Sequence, residues 1–401
     1  MSTGVPGAYR PLPGIRRPAR HAGARSLLRG RAGLRRHDGS AGGRVAGPAG
    51  QRARASGGIL LSLELHRDHD LSRLNTLGLP CRAERFVAPS SAAQLTEALA
   101  LARQERRAPL LLGGGSNVIL PASLTGLVIQ PAMADWRLEE ADRQVRVHVD
   151  AGVVWHDLVM SLARRGLWGI ENLALIPGHC GAAPIQNIGA YGVELHEVLE
   201  AVRVISLEDG RETTMAPDEC DFGYRDSIFK RELAGRVAIT GLVLRLSRHA
   251  APRLAYGDLA QRVSANPSSQ EVAEAVSAVR REKLPDPARL GNAGSFFKNP
   301  VVSPERAEAL RAAYPDMPQF PQSGGVKLAA GWLIDRCGLK GWRCGHFGVH
   351  DRQALVLVHH GGGSAEELLE VAAEVAERVR EAFGVTLERE PRLATEMGEM
   401  G

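Results

Sequence analysis

The chain has little of what marks membrane proteins or disulfide-stabilised proteins. It lacks any run of eighteen apolar residues, and its longest apolar stretches, such as 354–358, have the length of buried strands. Cysteine is scarce, odd in number and without CxxC spacing, which argues against a disulfide framework and a structural zinc site. The cysteines are Cys81, Cys180, Cys220, Cys337 and Cys344. We therefore expect a cytoplasmic protein that does not enter the membrane.

Acidic residues are almost absent from the start of the chain, and this changes the meaning of the net charge of +5. Residues 1–56 hold twelve Arg, no Lys and one acid, Asp38, so they contribute +11. The remainder, with 38 basic and 44 acidic residues, has a net charge of −6. Because the basic character ends before the globular part begins, a nucleic-acid-binding protein with a basic arm is disfavoured.

The first 58 residues, called the leader below, consist mainly of Gly, Ala, Pro and Arg. Such a composition cannot bury enough apolar surface to offset chain entropy, so the leader is predicted to be disordered. Three origins fit it: a start codon assigned too far upstream, an organelle-type transit peptide, or a genuine basic tail.

Beyond the leader, hydrophobic periodicity predicts an α+β protein, and 401 residues are enough for two or three domains. A first strand is predicted at Ile59 to Leu65, and a helix within 91–107 is followed by a short strand at 109–112. Strands at 145–149, 202–207 and 237–246 and a helix from Val154 to Leu162 are predicted next. Near the end, Ser303 and Ser364 are predicted helix caps, the second helix stops at Gly384, and a strand runs from Val385 to Leu393.

Two glycine-bearing segments could line a nucleotide. Gly113-Gly114-Gly115-Ser116-Asn117, directly after a strand, could bring backbone N–H groups close to a diphosphate, or it could be an ordinary tight turn. No GK[ST] follows it, which disfavours a P-loop ATPase. The segment 177–192 is too irregular for a helix or strand and too apolar for a solvated loop. Its Gln186 and Asn187 could hydrogen-bond a flavin edge, or the segment could be a buried structural loop.

Two further segments place functional groups among aromatics and glycines, at 222–227 and 291–300. Arg225 could clamp a carboxylate through its fork of donors, or it could form a surface ion pair with Asp226 or another acid. Ser295 could reach a reacting carbon, or it could be a cap or turn residue.

In order along the chain stand GGGSN, IPG…PIQNIGAYG, FGYRDSIFK, YGDL, KLPDP, GNAGSFFKNP and KLAAGWLID. This series resembles the UDP-N-acetylenolpyruvoylglucosamine reductases, the MurB family, from about Asn75 to Leu393. The resemblance implies the fold shared with vanillyl-alcohol oxidase, in which two α+β domains surround FAD and a third, smaller domain closes over substrate. The corresponding ranges are 59–136, then 137–284 with the returning segment 385–401, and 285–384.

The resemblance also implies an activity: reduction of UDP-N-acetylglucosamine enolpyruvate to UDP-N-acetylmuramate in peptidoglycan synthesis, with non-covalent FAD, NADPH as co-substrate, and a monomeric enzyme. Arg225, Ser295 and Glu390 are then the catalytic set. Glu388 is the reserve candidate for Glu390, because the two lie two residues apart on a predicted strand and Pro391 departs from the family pattern. Whether Glu390 orients Arg225 or donates a hydrogen bond stays open. The implied FAD contacts are Gly113, Gly114, Gly115, Ser116, Asn117, Gln186, Asn187, Ile188, Gly189 and Tyr191, and the implied substrate contacts are Tyr256, Lys283 and Asn299.

The nearest alternative is another FAD-dependent oxidoreductase of this fold, such as a sugar-lactone or hydroxy-acid oxidase. Those enzymes often attach FAD through a histidine, and His179 is not well placed by the motif for that role. Four histidines, His346, His350, His359 and His360, lie near one another, but they lack metal-ligand spacing. They are predicted to be exposed surface residues, and no metal is expected.

Overall fold

The computed structural model describes residues 63–105, 107–141, 144–322 and 324–397. The leader lies outside these ranges, as do residues 59–62 of the predicted first strand. Residues 63–65, the described part of that prediction, are not in a strand, and the first strand within the described ranges is His66–Asp70.

The first region, residues 63–129, is a four-stranded sheet in the order β1-β2-β5-β3 with one helix. Strands β1 and β2 are antiparallel, whereas β5 runs parallel to β2 and β3. Ser91 caps the helix by accepting a hydrogen bond from Gln94 N, as expected of a serine at a helix start. The elements are β1 (His66–Asp70), β2 (Arg82–Val87), α1 (Ala92–Gln104), β3 (Leu110–Leu111), β4 (Val118–Ile119) and β5 (Ser123–Ile129).

The second region, residues 136–283, is built on an antiparallel sheet in the order β11-β10-β12-β7-β6. The predicted strands and the helix that ends before Gly166 are confirmed. The elements are β6 (Trp136–Ala141), β7 (Gln144–Asp150), α2 (Trp155–Ala163), β8 (Gly189–Ala190), β9 (Val193–Glu194), β10 (Leu199–Ser206), β11 (Glu212–Met215), β12 (Val237–Ser247) and α3 (Ser269–Lys283).

The third region, residues 291–383, has two small antiparallel sheets, β13-β19-β18-β17 and β14-β16-β15. Ser303 and Ser364 cap their helices as predicted, and α6 ends at Gly384, whose φ is +60°. The elements are β13 (Gly291–Asn292), β14 (Val301–Val302), α4 (Pro304–Ala313), β15 (Gln319–Gln322), β16 (Gly325–Leu328), α5 (Ala330–Arg336), β17 (Arg343–Cys344), β18 (Phe347–Val349), β19 (Leu357–His359) and α6 (Ala365–Phe383).

The strand predicted over Val385 to Leu393 is much shorter, because only β20 (Arg392–Leu393) finds a partner strand. It pairs in parallel with β4, directly after the glycine loop. Ala394 then packs in the same core as Leu71 and Phe86 of the first region. Earlier in the segment, Val385 and Leu387 pack in the core of the third region, and Glu390 pairs with Arg225 of the second region. The returning segment therefore contacts all three regions, and its assignment to the second stays a prediction.

The remaining helical segments are short 3₁₀ turns that shape the loops. They are Glu171–Leu173, Cys180–Gln186, Leu195–Glu197, Pro217–Cys220, Ile228–Lys230, Leu259–Arg262 and Ala394–Met397. The segment 177–192 was predicted to be neither helix nor strand. It contains one of these 3₁₀ turns, Cys180–Gln186.

Apolar packing joins the regions. Helix α1 buries Leu95 and Leu99 in a core that also contains Ile205 and Ala238 of the second region. Leu77 belongs to the core around α6 in the third region. Among the helices in the described ranges, none has both the length and the apolar character needed to cross a bilayer. The five cysteines are free thiols, four of them buried.

Candidate active site

The glycine loop, residues 113–117, joins β3 to β4 and packs tightly against neighbouring backbone. Gly115 has φ +61°, and a Cβ there would lie 1.9 Å from the Leu74 carbonyl oxygen. A Cβ on Gly114 would lie 2.7 Å from Gly178 Cα. Ser116 Oγ donates to the Pro177 carbonyl at 3.0 Å. The loop therefore needs glycine at these two positions in order to pack against the protein's own backbone, and its contact with a diphosphate stays a prediction.

The segment 177–192 faces this loop across a cavity that Gln186, Ile188 and all five loop residues line. Asn117 Nδ2 donates to Gln186 Oε1 and links the two walls. The Asn187 side chain is fully buried and donates to Glu194 (2.8 Å) and the Gly223 carbonyl (3.2 Å). The Asn187 amide is therefore used inside the protein, whereas the Gln186 side chain lines the cavity while its oxygen accepts from Asn117.

Arg225 sits in a strained turn whose ends, Gly223 and Asp226, hydrogen-bond each other through their backbones at 3.0 and 3.3 Å. Its φ of +55° is costly for a residue with a Cβ. Arg225 Nη2 donates to the Gly189 carbonyl at 2.8 Å, and Nε lies 3.4 Å from Glu390 Oε1. Asp226 pairs with Arg231 instead. The alternative of an Arg225–Asp226 surface pair is thus not what the structure contains.

Glu390 and Glu388 have opposite environments, although both were candidates. Glu390 is 9% exposed, and burial raises the pKa of its carboxyl, an effect that the charges of Arg225, Lys230 and Lys298 partly offset. The Glu388 side chain is 72% exposed and pairs with Lys298. Glu390 alone is therefore placed to act on Arg225.

Ser295 directly precedes an antiparallel backbone contact between residues 296–298 and 388–390. The next residue, Phe296, is fully buried, and its carbonyl accepts a hydrogen bond from Glu390 N at 2.9 Å. Gly294 before it has φ +69°, so the chain turns sharply at Ser295. Asn117 Nδ2 also lies 3.5 Å from the Glu390 carbonyl oxygen, which brings this contact to the cavity wall.

The other implied substrate contacts fall into two groups. Tyr256 is 55% exposed and meets Tyr191 edge-on at 5.2 Å between ring centroids. Lys283 is the last residue of α3. The end of α3 lies near Tyr256, because Arg262 links Asp258, two residues after Tyr256, to Glu282, at 2.7 Å in each case. Asn299 is apart from them: its Oδ1 accepts from Ala330 N at 2.9 Å, at the start of α5.

Three cations near the site, Lys230, Arg392 and Arg280, were given no role from the sequence. Lys230, in FGYRDSIFK, donates from Nζ to the Arg225 carbonyl at 3.1 Å and lines the cavity together with Arg392. Arg280, in the last turn of α3, donates to the Leu175 carbonyl at 3.2 Å, and burial lowers its pKa. The sequence offered one signal, because Lys230 lies inside the motif FGYRDSIFK. The motif does not show which residues Lys230 contacts.

The histidine prediction was partly wrong. His346 and His360 are exposed, but His350 and His359 are each 6% exposed. His359 Nε2 accepts from Gly363 N at 3.2 Å, so Nδ1 carries the proton and donates to the Leu77 carbonyl at 2.9 Å. His350 Nδ1 accepts from Gln353 N at 3.2 Å, and its Nε2 lies 3.4 Å from Asp351 Oδ1. Within the described ranges no cluster of three His, Cys, Asp or Glu side chains could hold a metal ion.

His179 lines both the cavity beside the glycine loop and an adjoining cavity between the first and second regions. The two cavities share seven lining residues and therefore form one cleft: Leu111, Leu112, Gly113, His179, Ala182, Ile185 and Arg392.

Comparisons with known proteins agree with this geometry. A family model described as the UDP-N-acetylenolpyruvoylglucosamine reductase C-terminal domain matches residues 286–394, and one described as FAD binding domain matches residues 83–216. The crystal structure of UDP-N-acetylenolpyruvylglucosamine reductase (MurB) from Thermus caldophilus is 25% identical and covers 82% of this chain and 98% of its own, with a TM-score of 0.57.

Two relatives match over nearly their full length. The UDP-N-acetylenolpyruvoylglucosamine reductase of Chromobacterium violaceum is 49% identical over 82% of this chain and 99% of its own. The protein of the same name from Pseudomonas aeruginosa is 47% identical over 83% of this chain and 100% of its own. The predicted family and α+β FAD-binding fold are confirmed. The chain belongs to the UDP-N-acetylenolpyruvoylglucosamine reductase family, the MurB family.

Proposed function

We propose that this enzyme uses NADPH and FAD to reduce UDP-N-acetylglucosamine enolpyruvate to UDP-N-acetylmuramate, in peptidoglycan precursor synthesis. The chain is an FAD-dependent oxidoreductase. The observation that carries the proposal is the partly buried Arg225–Glu390 pair beside the cleft walled by the glycine loop. An arginine held in this way suits a substrate whose carboxylate gains negative charge during reaction.

The residues of the cleft fit FAD. The glycine loop offers backbone N–H groups without side chains in the way, and Arg392 lines the same cavity. Together they supply donors and positive charge for a diphosphate. Gln186, Ile188 and Tyr191 would then lie along the flavin. When bound, FAD supplies hydride from NADPH to the enol double bond of the substrate.

Three side chains would carry the remaining chemistry. Arg225 holds the substrate carboxylate while negative charge spreads into it, a contact worth about 3 kcal/mol per preorganised donor. Ser295 Oγ donates the proton to the carbon next to that carboxylate. Glu390, as a carboxylate, orients Arg225 through the contact at 3.4 Å. Tyr256 and Lys283 would close over the diphosphate of the substrate or of NADPH, and Asn299 would help to position the sugar nucleotide.

Purified protein should be yellow, and acid should release free FAD, because the proposed cofactor is not covalent. Under anaerobic conditions NADPH should bleach the flavin and the enolpyruvyl substrate should restore its colour. Flavin that stays with the denatured chain would contradict non-covalent binding and point to attachment at His179. Reduced flavin that the enolpyruvyl substrate does not reoxidise would contradict the proposed reaction.

We also propose a monomer that acts in the cytoplasm. Five free thiols are compatible with a reducing compartment, and the family resemblance implies a monomer. Light scattering during size-exclusion chromatography should give the mass of one chain, and the mass of two would contradict the proposal.

A further inference from the structure

Lys230 is a cation of the site that has no role of its own in the chemistry proposed above. It ends the 3₁₀ turn Ile228–Lys230, and its Nζ donates to the Arg225 carbonyl oxygen at 3.1 Å. The two nearest carboxylates are engaged elsewhere, since Glu388 pairs with Lys298 and Glu390 pairs with Arg225. Burial, together with the charge of Lys298, lowers the pKa of Lys230. Keeping a cation partly buried without a carboxylate of its own costs free energy, so we expect Lys230 to have a function.

The reason lies in the conformation of Arg225. In the turn from Gly223 to Asp226 it occupies the third position, with φ +55°, where glycine or asparagine is normally found. Such a conformation persists only when its surroundings fix it. The guanidinium is fixed on one side by the Gly189 carbonyl and Glu390, and the backbone is fixed on the other side by Lys230.

We propose that Lys230 is a positioning residue: its ammonium group holds the Arg225 turn in the left-handed conformation that directs the guanidinium towards Glu390 and the substrate carboxylate. The proposal rests on the proposed function. Lys230 has a second, electrostatic effect, because Glu390 is faced by Arg225, Lys230 and Lys298. Loss of Lys230 should therefore make Glu390 easier to protonate.

The test compares Lys230→Met, Lys230→Arg, Lys298→Met and Lys340→Met in the FAD-loaded enzyme, with both half-reactions measured per bound flavin by anaerobic stopped flow. Lys298→Met removes a second charge that faces Glu390 but leaves the Arg225 carbonyl contact intact. Lys340 pairs with Asp335 on the surface and serves as the matched control.

For Lys230→Met we expect flavin reduction by NADPH within about twofold of wild type. Reoxidation by the enolpyruvyl substrate should slow by about tenfold to a hundredfold, the range expected of a misplaced binding group. The acidic limb of the reoxidation rate should move to higher pH. Lys230→Arg, which keeps a charged donor, should recover most of the rate. Lys298→Met should move the limb with a smaller loss of rate.

Several results would overturn the proposal. If Lys230→Met behaved like Lys340→Met, Lys230 would be an ordinary surface residue. If Lys230→Met slowed both half-reactions equally, Lys230 would support the fold. If Lys230→Met and Lys230→Arg both lost FAD, Lys230 would bind the cofactor. Failure of the proposed function is distinguishable. In that case wild-type enzyme itself would not be reoxidised by the enolpyruvyl substrate.

Discussion

The two sides of the cleft are built differently. The cofactor side, residues 113–117 and 177–192, depends on backbone: close glycine contacts and carbonyl acceptors. The charged side consists of side chains, Arg225, Lys230, Lys298 and Glu390, held near a strained turn. Adding a Cβ to a glycine should therefore disrupt the cofactor side, and removing a charge should disrupt the charged side. Damage to the first should abolish both half-reactions, whereas damage to the second should affect mainly the one that uses substrate.

The largest effect is expected for Gly115→Val on the cofactor side. The new Cβ would lie 1.9 Å from the Leu74 carbonyl oxygen, at a φ of +61°. We expect loss of FAD and destabilisation of more than about 2 kcal/mol, measured by flavin absorbance and chemical denaturation. Gly166→Ala is the control, because its φ is +70° but nothing lies within 4 Å. A Gly115→Val enzyme with normal flavin content would contradict the role of backbone approach.

A smaller effect is expected for Glu390→Gln on the charged side. The pKa of Glu390 is raised, so its carboxylate is protonated, and Arg225 loses its partner, at a pH above the usual range of a glutamate. Wild-type reoxidation should therefore fall on acidification through this raised pKa. Glu390→Gln should be slower at neutral pH and should lack this limb, whereas Glu388→Gln, at an exposed position, should keep it. A rate that falls on alkalinisation through the same group would instead make protonated Glu390 the active form.

The smallest effect is expected for removal of the leader. A chain that begins at Gly58 should keep its FAD and its full turnover, because the composition of the leader cannot support a core. The measurement is turnover per bound flavin beside the full-length chain. Loss of flavin or precipitation of the shortened chain alone would show that the leader is structural.

Local signals in the sequence predicted much of the fold. Helix α6 shows why: Leu368, Val371, Val375, Val379 and Phe383 recur at helical spacing between a serine cap and Gly384, and all five are buried. The glycine loop was likewise predicted from a short stretch, the five residues from Gly113 to Asn117. These signals are contained in short stretches of chain, so no distant partner is needed to read them.

Features that depend on distant partners were missed. The burial of His359 depends on the Leu77 carbonyl, 282 residues away. The strand at Arg392–Leu393 is short because β4 offers only two residues. The 3₁₀ turn Cys180–Gln186 contains Pro184 and lacks the period of an amphipathic helix. The choice of Glu390 over Glu388 required their burial, since both carboxylates have the same chemistry.

The division of the cleft is tested most directly by Ser295→Ala beside Ser116→Ala, with the two half-reactions followed by anaerobic stopped flow. We assign Ser295 to the substrate step, because in the proposed mechanism NADPH oxidation precedes proton transfer to carbon. Ser116 belongs to the glycine loop, where it binds the Pro177 carbonyl. For Ser295→Ala we predict near-normal flavin reduction, little change in substrate binding, and reoxidation slowed at least about a hundredfold. Ser116→Ala should weaken FAD binding without separating the half-reactions. Near-normal reoxidation in Ser295→Ala, or equal slowing of both steps, would contradict the account.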